Sequence, residues 1–573
     1  MRIAIAQVNP VIGDFPGNRK KILDCAWKAK NDYQADLVLF SELSICGYPP
    51  LDLLGQPEFT EQNTMTLRNL QEFLPEDLAA GVGYVKRSPY SAQRLLNAYG
   101  IILGHELVFE QFKINITSHD YFDEAKYFEP GRYPAGKQYP DVFEYLGERI
   151  GIAAGEDART GDFINRGISM LCIPEAVPFT AGQFENIRKT MEQLSKKLNI
   201  PVIRINQAGA NDSIIFDGRS MITLPLITES NDECAHTQIT KAFEEDLLFA
   251  ELPYQNNKAA IKTEASVITS DVTVKNNAGN EPELTSDNSD ELEQALVLGI
   301  KDYMKKCGFT KVHLGLSGGI DSALAAYLAA KAAGPQNVTC FNMPSRFSSA
   351  GSKDDSRLLA QNLGCRYEVL PIESIYTACM SVLEDVFEKR PFDVAEENLQ
   401  ARIRGLLWMG YANKFNSMLV SCGNKSELAM GYCTLYGDTN GALAPIGDLF
   451  KTEVISLCKR INERSVRETG KTIIPQAIID KPPSAELRPN QTDQDSLPPY
   501  EVLDKILKLI IYDNLSAQEI IARGFDPDTV KKIYRTMIRS EWKRRQTPPV
   551  LRVSPKAFGI GRNQPLARAI FEI

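Results

Sequence analysis

No two of the eleven cysteines stand as a CxxC pair, so the chain has neither the ligand spacing of a zinc ribbon nor the framework of a disulfide-stapled domain. Scattered, mostly apolar-flanked thiols suit a reducing cytosol. No apolar run reaches bilayer-spanning length. The opening MRIAIAQVNPVIGD reads as a strand and a turn, without the apolar segment of a signal peptide. Excess positive charge is missing as well: the net charge is −9, which removes general attraction to nucleic acid or an anionic membrane. There is no internal repeat and no GxxxxGK[ST] string, which excludes a solenoid and a Walker-type phosphate loop. The expectation is a soluble cytoplasmic protein without nucleic-acid or membrane partners.

What is present is an ordinary globular composition, 43% hydrophobic and 24% charged over 573 residues, too long for one core. Two textures meet near residue 280. Before it come short β-rich runs at 2–8, 35–43, 98–104, 149–157, 168–174 and 201–207; after it, strands at 311–319, 337–343 and 417–423 alternate with longer helical stretches. Such alternation predicts α/β layering. The polar, acidic, turn-rich stretch 274–294 separates the halves. The expected division is 1–270, a linker at 271–289, and 290–573, the last opening with a helix from Asp290.

The most informative string is GLSGGIDSA at 315–323. A strand runs into a glycine-rich turn and an Ala/Leu-rich helix, which presents backbone N–H groups and a helix N-terminus to an anion. Ser317 and Ser322 add hydroxyls, and Asp321 is a hard oxygen ligand of the kind magnesium takes. A Gly-Gly pair alone would be read as a tight connection with a helix cap; the whole string favours a nucleotide site.

SGGxDS resembles the pyrophosphate-binding motif of the ATP-pyrophosphatase (adenine nucleotide α-hydrolase-like) superfamily. Downstream strings narrow the resemblance: MPSR (343–346), ENLQARIR (397–404), GNKSE (423–427), GYCTLYGD (431–438), FKTE (450–453), KPPSAEL (481–487) and SEWKRR (540–545). In this order they resemble the synthetase domain of bacterial glutamine-dependent NAD⁺ synthetases, which implies a doubly wound parallel sheet. The implied reaction is ATP-dependent amidation of deamido-NAD⁺ through an adenylate, releasing AMP and pyrophosphate. The resemblance implies that Gly315, Leu316, Ser317, Gly318, Gly319, Ile320, Asp321, Ser322, Met343, Cys422 and Lys451 bind ATP. It places Asn398, Arg402, Glu427, Asp438 and Lys543 at deamido-NAD⁺, and Mg²⁺ at Asp321 and Glu427. Asp321, Glu427, Lys451, Ser484 and Lys543 are the implied catalytic set. Ser484 stands at a usual threonine, Cys422 at a usual threonine and Trp542 at a usual histidine. Taken singly, Lys451 and Lys543 would pass for surface charges, Asn398 and Arg402 for one helical turn of local pairing, and Asp438 for a turn residue.

The first half carries AQVNPVIGDFPGN, SELSICGYPPLDLL and YFDEAKYFEPG. It resembles the nitrilase-like amidase of the same family, an αββα sandwich with a Glu–Lys–Cys triad that frees ammonia from glutamine. Glu42 and Lys113 match the glutamate and lysine; at the cysteine stands Gly155, followed by Glu156 and Asp157. Segment 116–124 replaces LPNYGVFDE, with His119 at a glutamine-contacting tyrosine. Val177 stands at a glutamine-contacting serine and Gln183 at a usual lysine. Four concordant departures read as decay of a glutamine pocket. Cys46 and Cys172 lack the turn context of a replacement thiol. The expectation is a silent amidase fused to an ammonia-using synthetase, a homodimer or larger, with a separate protein as possible ammonia donor. The competing readings are a glutamine-dependent enzyme with an unrecognised nucleophile, another adenylating ligase, and a non-catalytic scaffold.

Overall fold

The computed structural model describes residues 1–91, 94–119, 122–131, 142–160, 166–227, 233–252, 289–489, 491–559 and 561–570. The chain divides into two compact units, Met1–Ser286 and Asp287–Ile573. The linker placed at 271–289 lies outside the described residues apart from Ser289. Among the described residues no helix is long and apolar enough to cross a membrane.

The first unit stacks two six-stranded sheets. One runs, edge to edge, Asp246–Glu251, Arg2–Gln7, Leu37–Leu39, Ala79–Arg87, Leu95–Leu103 and Glu106–Phe112; the other runs Glu233–Ile239, Met221–Ile227, Val202–Asn206, Met170–Glu175, Glu148–Ile152 and Phe143–Tyr145. Strand alternation explains the layering. In Arg2–Gln7, Ile3 and Ile5 join Leu37, Leu39, Ile150, Ile152, Ile203 and Ile205 in the layer between the sheets. Ala4 and Ala6 point the other way, toward a layer built with helix residues Ile22, Ala26, Leu67 and Leu70. Helix Phe15–Tyr33 starts where Asp14 accepts from the Gly17 N–H, and buries Phe15, Asn18, Ile22, Ala26 and Ala29, a stripe at helical spacing. Helix Phe184–Leu198 covers the second sheet through Phe184 and Met191. The result is the αββα sandwich.

The second unit holds a four-stranded parallel sheet in the order Arg366–Val369, Val338–Asn342, Val312–Gly315, Met418–Leu419. Chain direction across the sheet reverses at Val312–Gly315, the place where open α/β sheets bind ligands beyond their strand ends. Helix Ile320–Ala333 follows that strand and buries ten residues, from Ile320 to Ala330; its many alanines fit a helix covered on all sides. Helix Ser289–Cys307 opens the unit, as the spacing from Asp290 predicts. The strands at 79–87, 106–112, 143–145, 221–227, 233–239, 246–251 and 366–369, not picked out in the sequence, complete the sheets.

Candidate active site

Strand Val312–Gly315 is paired on both sides and delivers the chain into a turn at the edge of a cavity of about 280 Å³. The Leu316 N–H donates to the Phe341 carbonyl (2.8 Å). Gly318 then takes φ +85°, and a Cβ there would lie 2.6 Å from the Ser352 carbonyl oxygen, so only glycine lets the turn approach that backbone. A Cβ on Gly315 would meet the Trp408 ring at 2.4 Å. The Ser322 hydroxyl donates to the Gly319 carbonyl (2.9 Å) and accepts from the Ser317 N–H (3.2 Å). Gly319 is the extended N-cap of helix Ile320–Ala333, whose first N–H groups are therefore left for a ligand.

Carboxylates dominate the cavity wall beside the turn. Asp321 accepts from Asn424 Nδ2 (2.9 Å) and from Lys451 Nζ. Lys451 Nζ also lies 3.9 Å from Glu427. Glu427 is oriented by a capping box: its backbone N–H donates to Asn424 Oδ1, and its carboxylate accepts from the Asn424 N–H. Burial, then the charge of Asp321, push the Glu427 carboxyl well above its usual range. Burial alone would lower Lys451, but Asp321 and Glu427 outweigh it and hold the ammonium charged. Asp493 joins the same wall, its carboxyl raised by burial against the hydrogen bond from Tyr500 (2.8 Å). Further along, Asp438 accepts from the Thr434 N–H (2.6 Å); its outer side is exposed, and partial loss of hydration at the cavity raises its carboxyl toward about 6. The Cys422 thiol, raised by burial and then by the charge of Asp321, is a neutral wall and no nucleophile.

The cavity thus brings together Gly315, Leu316, Ser317, Gly319, Ile320, Asp321, Ser322, Met343, Cys422, Glu427, Asp438, Lys451 and Ser484. It does not bring in Gly318, whose part is to shape the turn. Nor do Asn398, Arg402 and Lys543 line it; each instead ties down the loop 431–438. Asn398 Oδ1 accepts from Thr434 Oγ1 (2.7 Å), Arg402 Nε donates to the Leu435 carbonyl (3.3 Å), and Lys543 Nζ donates to the carbonyls of Gly431 (2.7 Å) and Cys433 (2.8 Å). Trp542 is half-exposed. Sequence reasoning passed over Arg404, Trp408, Asn424, Lys481, Glu486 and Asp493, all of which line the cavity or orient its acids. Asn424 had a readable signal, the N-x-x-E spacing of a capping box. Trp408 and Asp493 had none.

In the first unit Glu42 and Lys113 form a buried pair (2.9 Å), and Lys113 also reaches Glu124 (3.0 Å). Asn97 Nδ2 donates to Glu42 (2.6 Å) and Tyr48 Oη to Glu124 (3.0 Å). Burial would lower Lys113, but the two carboxylates outweigh it and keep the ammonium charged. Gly155 sits at φ +54°, and a Cβ there would lie 3.6 Å from Lys113 Nζ and 4.0 Å from Glu42 Oε2. Asp157 fastens the neighbouring backbone, accepting from the N–H groups of Ile114 (2.8 Å) and Asn115 (2.7 Å). A side chain at 155 would therefore point into the Glu–Lys pair, and none is there. Cys46 and Cys172 are fully buried, each thiol pushed up to about 12 by burial. Val177 is held through its backbone by Asn206 (2.9 Å and 3.1 Å), and Gln183 precedes helix Phe184–Leu198. The side chain of His119 lies outside the described residues.

Residues 2–251 match the family model described as carbon-nitrogen hydrolase, and residues 292–547 the one described as NAD synthase. The glutamine-dependent NAD(+) synthetase of Synechocystis sp. is 39% identical over 99% of this chain and 98% of its own length. That of Acinetobacter baylyi is 37% identical over 99% and 98%. Among solved structures, the glutamine-dependent NAD⁺ synthetase of Acinetobacter baumannii in complex with adenosine diphosphate superposes with a TM-score of 0.73 at 32% identity, covering 99% of this chain and 98% of that one. With its two domains in the same order and nearly its whole length matched, the chain belongs to the glutamine-dependent NAD⁺ synthetase family.

Proposed function

We propose that the second unit converts deamido-NAD⁺ to NAD⁺ with ATP and ammonia, and that the first unit hydrolyses no amide. The observation that carries the second half is Gly155, set against Lys113 and Glu42 with no nucleophile to offer. A thiolate must attack the amide carbon in this type of site, and the buried thiols Cys46 and Cys172 are held neutral.

In the proposed reaction the 315–322 turn grips the ATP phosphates through backbone N–H groups and the hydroxyls of Ser317 and Ser322. The nicotinate carboxylate attacks the α-phosphorus; the new O–P bond forms as the bond to pyrophosphate breaks. Ammonia then adds to the acyl carbon, loses a proton, and expels AMP. Lys451 sits beside the turn as a fixed positive charge for the departing pyrophosphate. No protein nucleophile takes part; the chain aligns the reactants and excludes water.

The family implies magnesium, and the donor set suits it. Asp321 and Glu427 share the ammonium of Lys451, with the Asp493 carboxyl on the same cavity lining, and hard oxygen donors so grouped suit a divalent cation. Magnesium is commonly held through one or two carboxylates, phosphate oxygens and water. Asp321 and Glu427 would hold it, and when bound it would neutralise phosphate charge.

Exposed apolar side chains on and beside helices Glu373–Leu383 and Val394–Phe415, among them Val382, Val386, Leu406, Met409 and Phe415, support a homo-oligomer in solution.

The test is the nitrogen source. With ATP, Mg²⁺ and deamido-NAD⁺, ammonium chloride supports NAD⁺ formation and glutamine does not, and no glutamate is released. The names of the relatives favour a second reading, in which glutamine serves through a nucleophile elsewhere; glutamine-supported turnover equal to that with ammonium would establish it.

A further inference from the structure

Residues 481–487 all line the cavity and form one wall of it, facing the phosphate turn. One side chain, Glu486, makes four of the strap's hydrogen bonds. Glu486 accepts from the Ser349 N–H (3.2 Å), the Ser349 hydroxyl (3.1 Å) and the Ser352 hydroxyl (2.7 Å), all at the start of helix Ala350–Leu363. It also accepts from Lys481 Nζ (2.8 Å), so the strap's two ends are joined to each other as well as to the helix. Lys481 donates to the Ser352 hydroxyl too, and the Ser352 carbonyl is the atom that Gly318 of the phosphate turn packs against. Glu486 reaches these partners from φ +49°, a left-handed conformation that disfavours most side chains, so its placement is maintained by the bonds it makes. Hydrogen bonds from Lys481 and the serines hold its carboxyl below the usual range despite burial, which alone would raise it. Other fastenings are neutral: Ser484 Oγ to the Gln491 carbonyl (2.5 Å), Asp493 N–H to the Pro483 carbonyl (3.0 Å), Leu487 N–H to Gln491 Oε1 (2.8 Å) and Gln400 Nε2 to the Leu487 carbonyl (3.0 Å).

We propose that Glu486 is a positioning residue for the reaction described above: it holds the strap shut across the cavity and thereby keeps water from the acyl-adenylate. The physical need is plain. A mixed anhydride beside an open mouth loses its acyl group to water, giving AMP without amide, whereas a closed wall leaves ammonia as the nucleophile. Glu486 touches no reacting atom; its effect passes through the placement of Lys481 and Ser484.

The experiment compares the full-length protein with Glu486→Gln, Glu486→Asp and the double variant Ser349→Ala/Ser352→Ala. Hydrogen exchange of 481–491 is read without substrates. It should speed up by about tenfold in Glu486→Gln and in the double variant, the factor that loss of one charge-assisted hydrogen bond sets. AMP formed per NAD⁺ is read at limiting ammonium. It should stay near unity in the parent chain and rise severalfold in both variants, with Glu486→Asp between. The double variant leaves the carboxylate in place, so agreement of the two separates the latch from a general loss of fold. Unchanged exchange, or a product ratio that stays at unity while exchange rises, overturns the proposal. A parent chain that yields neither AMP nor NAD⁺ would count against the synthetase reading instead, and exchange alone then decides the latch.

Discussion

Gly155 offers no side chain, yet the ion pair beside it is formed. The Glu42–Lys113 pair, the Asn97 and Tyr48 bonds and the Asp157 clamp are all formed around it. Gly155→Cys would therefore place a thiol near a fixed ammonium, which favours the thiolate. The introduced thiol should react with iodoacetamide at pH 7.5 at least about tenfold faster than Cys46 or Cys172, as followed by peptide mass spectrometry. The left-handed backbone at 155 should cost about 1 kcal/mol in urea denaturation. Glutaminase activity should not return, because Val177 and Gln183 remain. Asp438 gives a second test. Its folded carboxyl keeps a proton up to about pH 6, where the ordinary value is 3.8. Folding thus takes up a proton between these values, and stability falls as pH rises through about 6. Asp438 is exposed on its outer side, so solvent screens the penalty, and Asp438→Asn should stabilise the protein at pH 7.5 by no more than about 1 kcal/mol, a gain that shrinks toward pH 5. Denaturation curves across that range measure it. The missing cysteine was legible in the sequence because it sits inside a matched string. The raised Asp438 was not, since it follows from how the 431–438 loop packs against residues distant in the chain.

At the scale of elements, the site depends on close approach between helix Val394–Phe415 and the loop 431–438. Gly405 lies in the helix interior, where alanine would ordinarily be better by about 1 kcal/mol. Here its Cβ would come 2.3 Å from the Tyr436 carbonyl oxygen, and a Cβ on Gly437 would press on Ala401 at 2.8 Å. Gly405→Ala should destabilise the protein by about 2 kcal/mol, read from the urea midpoint, and should also weaken substrate binding, because this contact sets where Asp438 points. The SGGIDS turn was readable from glycine placement, and of the helix only the one-turn spacing of Asn398 and Arg402. The anchoring of Asn398, Arg402 and Lys543 on the 431–438 loop was not. Their motif positions imply ligand contact, while their hydrogen bonds depend on how the loop folds back on the helix.

Over the whole molecule, each unit has separate cores, sheet on sheet in the first and sheet with helices in the second. Residues 287–573 alone should fold and keep ammonia-dependent NAD⁺ formation within about tenfold of the full chain, as expected of a unit with its own core. Insoluble or inactive protein from that fragment would show that the first unit is needed for more than an ammonia supply. What the amino-acid order determined by itself was local: the turn at 315–322, the capping box at 424–427 and the loss of a nucleophile at 155. The capping box and the hydrogen bonds inside the turn are made between neighbours along the chain, and the residue type at 155 is itself read from the string. What only the tertiary structure decided was electrostatic and long-range. Lys451 meets Asp321 across 130 positions and Lys113 meets Glu42 across 71. Burial and charge act through space, so no spacing along the chain specifies them until the sheets have paired.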